Sequence, residues 1–221
     1  MDKQRLVQTA QALVADKKGI LAADESGVTI KRRFDSINVE STEKTRLDYR
    51  EMLFRTAGVS DFISGVILFD ETIRQEGADG TPLVKVLTGQ GMIPGIKVDK
   101  GTIPLPSAPD ELVTEGLDGL RDRLNEYVEL GAGFTKWRAV INIADDTPTP
   151  YGLNANAHSL ARFAALSQEA GLVPIVEPEV LRDGGHSIER CFEVTEETLR
   201  EVLDQLARQK VFLVGMLLEP S

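Results

Sequence analysis

Ionic side chains recur two residues apart at the ends of apolar runs: Lys97 with Asp99 in GIKVDKG, Lys136 with Arg138 in FTKWR, and Glu177 with Glu179 in VPIVEPEV. Residues two apart on a strand point to the same face, so each pair is aimed at one place. Such cations suit phosphate or carboxylate groups, and the carboxylates suit proton transfer. Lysines crowded by like charge lose protons near neutral pH, which fits them for nucleophilic or basic roles. Further charge follows LAA at Asp24 and Glu25, VILF at Asp70 and Glu71, and GMLL at Glu219. For any one pair a solvated strand end or a plain ion pair competes with function, and repetition over six runs weakens that competitor.

The histidines add little. His158 sits in a helical stretch and His186 in DGGHS, both reading as surface positions, and no H-x-x-x-H or cysteine cluster offers a zinc site. No metal and no other cofactor is expected. Cys191 is the single cysteine, which precludes an intrachain disulfide and fits a reducing compartment.

The elements that must position these groups are six short apolar runs, beginning at Gly19, Phe62, Met92, Ala132, Leu172 and Val211. Helical periodicity fills the intervals. Residues 2–17 and 41–57 read as helices, as do stretches carrying Leu117, Leu120, Leu124 and Val128 before Gly131, Leu160, Phe163 and Ala164 before Gly171, and Leu199, Val202, Leu203 and Leu206. Strands apolar on both faces and alternating with helices predict an α/β fold built on a parallel sheet. Neither G-x-G-x-x-G nor a Walker A pattern occurs, so a doubly wound nucleotide fold yields to a TIM (β/α)8 barrel. In a barrel the carboxyl ends of the strands converge on one mouth, where the paired charges would meet. About six of the eight βα units are visible, so the barrel is expected to be incomplete, with residues 1–221 a single domain and two unpaired sheet edges. Homo-oligomer formation is left open.

The formal charge of −10 at pH 7 disfavours nucleic acid as a partner, and no apolar run approaches the ~20 residues that would cross a bilayer. The N-terminus MDKQRLVQTAQ has no apolar signal core, and a cytoplasmic location is expected. Composition and spacing thus reach an α/β barrel that binds a small anionic substrate.

The strings AADES, GVILFDET, GIKVDKG, LDGL, FTKWR, NANAHSLARFA and VPIVEPEVL, in this order, resemble the class I fructose-bisphosphate aldolase family over essentially the whole chain. The resemblance implies a TIM barrel that reversibly cleaves fructose 1,6-bisphosphate into dihydroxyacetone phosphate and glyceraldehyde 3-phosphate, in glycolysis and gluconeogenesis, through a lysine Schiff base and without metal. It implies that Asp24 handles the substrate's C4 hydroxyl, that Lys97 contacts phosphate and hydroxyl groups, and that Lys136 and Arg138 are the second active-site lysine and its neighbouring arginine. Glu177 would be the acid/base of carbinolamine dehydration, with Glu179 supporting it. Ser26 and Arg33 are matched loosely as substrate contacts, because ESGVTIKRRF departs from the family's segment. Trp137, between the two cations, is expected to pack on the opposite face.

One departure is chemical. Where the family pattern is similar to G-x-L-L-K-P, with the lysine as Schiff-base nucleophile, this chain has GMLLEPS with Glu219. A carboxylate cannot condense with a ketone, and it is expected to pair with Lys136 instead. An impaired, C-terminally truncated aldolase is therefore expected. A sugar-phosphate-binding pseudoenzyme or scaffold, and a barrel enzyme that transfers protons between Glu177 and Asp24, are the alternatives.

Overall fold

Strands that are apolar on both faces need covering twice, and helices joined to them by short loops provide the cover. The computed structural model describes residues 1–220. Its first elements are α1 (Lys3–Leu13), β1 (Gly19–Ala23), α2 (Gly27–Asp35), α3 (Glu43–Phe54), α4 (Val59–Phe62), β2 (Ile63–Leu68), α5 (Asp70–Ile73), α6 (Leu83–Gly89) and β3 (Ile93–Lys97). After these come β4 (Thr102–Leu105), β5 (Ala108–Thr114), α7 (Leu120–Glu129), β6 (Phe134–Ile141), α8 (Pro150–Glu169), β7 (Val173–Val180), α9 (Ile188–Arg208) and β8 (Leu217–Leu218). Six strands form one sheet in the order β1-β2-β3-β6-β7-β8, while β4 and β5 make a separate antiparallel pair. The pairs β1/β2, β2/β3 and β7/β8 are parallel. Consecutive strands in spatial order with helical crossovers are the topology of a (β/α)8 barrel, of which six strands are present.

The chain divides into two compact units, one of Gln11–Lys97 and Glu126–Thr135, the other of Met1–Ala10, Val98–Asn125 and the residues from Lys136 onward. In the first, the fully buried Phe134 ring lies over Gly65 of β2 and Gly95 of β3. A Cβ on Gly65 would sit 2.6 Å from Leu13 Cδ2 and 3.0 Å from the Phe134 ring, and one on Gly95 would overlap that ring outright. These two bare backbones make the space that the ring fills.

In the second unit Trp137 is fully buried and stacks on Phe163 of α8, centroids 5.6 Å apart, the packing role expected of it. Ile141, Ile143, Leu153, Val180 and Val194 form a core cluster against which Cys191 rests. Thr149 caps α8 by accepting from Gly152 N at 3.1 Å, and the buried Glu111 of β5 accepts from Thr149 N at 2.9 Å. After α8, Gly171 takes φ +82°, which lets Leu172 N donate to Ser167 O at 2.9 Å and turns the chain into β7.

Three sequence expectations are corrected by packing. On α7 the buried aromatic is Tyr127, whose hydroxyl donates to Asp70 at 2.8 Å, whereas Val128 is exposed. On α9, Val194, Thr198, Val202 and Leu206 are buried and Leu203 is exposed. The run from Val211 is a strand only at Leu217–Leu218; ahead of it lies a 3₁₀ turn, Leu213–Gly215. The reason is Gln168, nearly fully buried, which accepts from Phe212 N at 2.8 Å and donates to Phe212 O and Gly215 O at 2.8 and 3.0 Å, taking backbone groups that a strand would spend on a ladder.

The glycine seat of Phe134 gives a direct test. Gly95→Ala is expected to lower stability by about 1–3 kcal/mol through overpacking. Gly27→Ala, where a Cβ meets nothing within 4 Å, is the neutral control, and urea midpoints of the two variants make the comparison.

Candidate functional site

Lys136, third residue of β6, is buried, and its Nζ lies 3.2 Å from Glu177 Oε1 and 3.2 Å from Glu219 Oε1. The backbone fixes all three groups. Val98 N donates to Lys136 O at 3.0 Å, and Glu219 N donates to Val176 O at 2.9 Å, which carries the β7/β8 pairing one residue past β8. The side chains of Lys136 and Glu177 are 9% and 11% exposed, that of Glu219 47%. Glu177 Oε2 is buried and has no hydrogen-bond partner.

Burial dominates the electrostatics of Glu177. Loss of hydration pushes its carboxyl up to about 7; Lys136 and, more weakly, Arg138 oppose the shift, and the Glu219 carboxylate adds to it. An acid that titrates near neutrality beside an ammonium group can give or take a proton at working pH.

Arg138 and Glu179 form a second ion pair on the same two strands. Arg138 is held through its backbone as well: its N–H donates to Asp99 Oδ2 at 3.4 Å, and its carbonyl accepts from Thr114 Oγ1 at 2.7 Å. Asp99, which the sequence pairs with Lys97, and Thr114, which the sequence reading did not single out, are positioning residues here. The hairpin of β4 and β5 that presents Thr114 could have been found from the alternation in TIPL and ELVT around the turn at Ser107, which takes φ +63°.

The other unit holds the remaining candidates. Asp24 follows β1 and Lys97 ends β3, both half-buried. Ser26 is the N-cap of α2, its hydroxyl accepting from Thr29 N at 3.4 Å, and Arg33 is paired with the buried Glu25. Beneath them lies a group that sequence reading missed, Arg50 of α3, which is fully buried. It donates to Thr72 Oγ1 at 2.6 Å and to Glu25 O at 2.7 Å, and stands 3.5 Å from Glu71 Oε2 and 3.8 Å from Glu25 Oε2. Burial pulls the Arg50 pKa down while the carboxylates of Glu25 and Glu71 pull it up. Nothing in EKTRLDYREMLF separates this arginine from its exposed neighbours. The charges after β2 also differ from expectation. Asp70 and Glu71 open α5, where Asp70 pairs with Arg74 and Glu71 with Arg46, whose hydrogen bond draws the Glu71 carboxyl below its usual range.

His158 is exposed on α8 and His186 lies in the loop ahead of α9. Among the described residues no group of three or more His, Cys, Asp or Glu could hold a metal ion, and no helix is long and apolar enough to cross a membrane.

Residues 5–221 match the family model for class-I fructose-bisphosphate aldolase. A probable class 1 fructose-bisphosphate aldolase of Xanthomonas campestris pv. campestris is 58% identical over 221 residues, all of this chain and 66% of the relative. The cytosolic fructose-bisphosphate aldolase 6 of Arabidopsis thaliana is 50% identical over 216 residues, 98% of this chain and 60% of its own. Among solved structures, Plasmodium falciparum fructose-bisphosphate aldolase in complex with TRAP and a small-molecule inhibitor superposes with a TM-score of 0.96 at 49% identity, covering 98% of this chain and 63% of that one. The chain therefore spans about two-thirds of the length of these relatives or slightly less.

Two outcomes follow from the buried charges. Between the ordinary carboxyl range and about 7, the folded chain keeps a Glu177 proton that the unfolded chain has released, so stability falls as pH rises through that window. The span is on the order of 3 kcal/mol for a shift of this size. Urea midpoints at pH 5 and pH 8 are expected to show the fall, and Glu177→Gln to remove that part of it. Arg50→Met strands Glu25 and Glu71 without their buried partner and is expected to cost about 3–5 kcal/mol in the same assay.

Proposed function

Since the chain belongs to the class-I fructose-bisphosphate aldolase family of lyases, we propose that the cluster on β6, β7 and β8 is a sugar-phosphate site that keeps the family's proton-transfer groups and lacks its covalent step. The family's reaction, reversible cleavage of fructose 1,6-bisphosphate to dihydroxyacetone phosphate and glyceraldehyde 3-phosphate, needs an unprotonated amine to condense with the ketone. The observation that carries the reading is the placement of Lys136 Nζ 3.2 Å from both Glu177 and Glu219. Two carboxylates favour the charged form of the one lysine in this cluster, and position 219 offers no second amine.

The proposal assigns Glu177 to proton transfer, Arg138 to a substrate oxyanion, and Glu179 to orienting Arg138, to which it is bonded. It keeps for Asp24 the C4 hydroxyl, and for Lys97, Ser26 and Arg33 contacts to phosphate and hydroxyl groups, as the family resemblance implies. Residence in the cytosol, the compartment named for the Arabidopsis relative, belongs to the same proposal.

Trapping tests it. Incubation with dihydroxyacetone phosphate and borohydride, followed by intact mass, is expected to leave the chain unmodified, while Glu219→Lys is expected to gain one reduced triose phosphate. An adduct on the unsubstituted chain would point to Lys136 as nucleophile and overturn the reading.

A further inference from the structure

Removing an amine is half of what Glu219 does; the other half is to place a carboxylate against Lys136. Because Glu177 Oε1 and Glu219 Oε1 each lie 3.2 Å from the same Nζ, the two acids flank one cation at no more than twice that separation. Their surroundings differ. Glu177 is nearly sealed, with Oε2 buried and unpartnered, whereas the Glu219 side chain is 47% exposed and its backbone is pinned to β7 through Val176 O at 2.9 Å. Of these three charged side chains, that of Glu219 is the one most open to solvent.

We propose that Glu219 is a proton-abstracting base for non-covalent enolisation of α-hydroxy ketone phosphates, with Lys136 and Glu177 stabilising and protonating the carbonyl oxygen. The proposal rests on the sugar-phosphate reading of the site. In the forward step the C–H bond beside the carbonyl breaks and its proton goes to the Glu219 carboxylate. The released electron pair forms a carbon–carbon double bond while the carbonyl π pair moves to oxygen. That oxygen takes the Glu177 proton and a hydrogen bond from Lys136. The products are an enediol phosphate, a protonated Glu219 and an ionised Glu177, with no oxidant, reductant or co-reactant needed. Reversal returns a proton to the same carbon, exchanging it with solvent, or to the neighbouring carbon, giving the aldose isomer.

The charge balance around Glu177 fits this division of labour. Lys136 and Arg138 draw its pKa down and Glu219 raises it, and burial outweighs them, leaving it near 7, where a buried acid can donate. The Lys136 ammonium, its side chain 9% exposed, supplies the fixed positive charge that a developing enolate oxygen needs.

Deuterium exchange read by proton NMR provides the test. The 221-residue protein is incubated with dihydroxyacetone phosphate in D2O, and binding is followed in parallel by calorimetry. Expected are binding, C–H exchange above the buffer rate, no borohydride-trapped adduct, and a loss of about 100-fold in exchange for Glu219→Gln with binding kept. Binding without exchange, or full exchange by Glu219→Gln, would overturn the base assignment and leave the sugar-phosphate reading standing. Exchange accompanied by a trapped adduct would overturn the non-covalent route. Absence of binding would remove both.

Discussion

A carboxyl group buried within β7, one of its oxygens without a partner, sets the character of this candidate site. Dehydration is the largest influence raising Glu177, the Glu219 carboxylate adds to it, and the neighbouring ammonium of Lys136 offsets only part of the rise. A lysine shared between two acids is a different instrument from a lysine beside another amine. It holds charge in place, where the family's arrangement exploits an amine that can lose its proton and attack. Under the function proposed above, glutamate in place of the lysine of the pattern G-x-L-L-K-P removes the amine on which a covalent step would depend.

The scaffold makes that placement rigid. Lys136 lies on the fully buried part of β6, where Trp137 on the opposite face is stacked against Phe163. Glu177 lies on β7, seven of whose eight residues are buried. Position 219 is held by a backbone bond to β7, so the short β8 fixes its main chain beside Val176. Arg138 is fixed by Asp99 and Thr114 through its main chain, which leaves its guanidinium to Glu179. In the other unit Arg50 does comparable work in the interior, tying Glu25, Thr72 and Glu71 together below the segment that carries Asp24, Ser26 and Arg33.

Much of this could be read from the residues. Runs such as GILAA and GVILF are apolar on both faces, and that pattern, alternating with helical stretches, predicts the parallel sheet and its order of elements. Period two also places Lys136 with Arg138 and Glu177 with Glu179, and the pairing of Lys136 with Glu219 follows from the family resemblance, which sets position 219 near Lys136, together with charge. What stayed hidden depends on tertiary partners. β6 runs to Ile141, so Lys136 and Arg138 sit within the strand, not at its tip. Arg50 looks like any helix-surface arginine until Glu25 and Glu71 close over it. The run at Val211 reads as a strand because its side chains are apolar, yet the Gln168 amide claims its backbone groups. Local pattern reports which faces are greasy; it does not report which polar group has already found a partner elsewhere.

The ionisation of Glu177 underlies the proton transfer assigned to this cluster. Titrating the protein with carboxyl-carbon-labelled glutamate, and assigning the Glu177 signal by its loss in Glu177→Gln, measures it directly. The structure predicts a midpoint near 7 that moves down in Glu219→Gln, where one of the groups raising it is gone. A Glu177 midpoint in the ordinary carboxylate range, unmoved by the change at 219, would contradict both the burial of this acid and its coupling to Glu219.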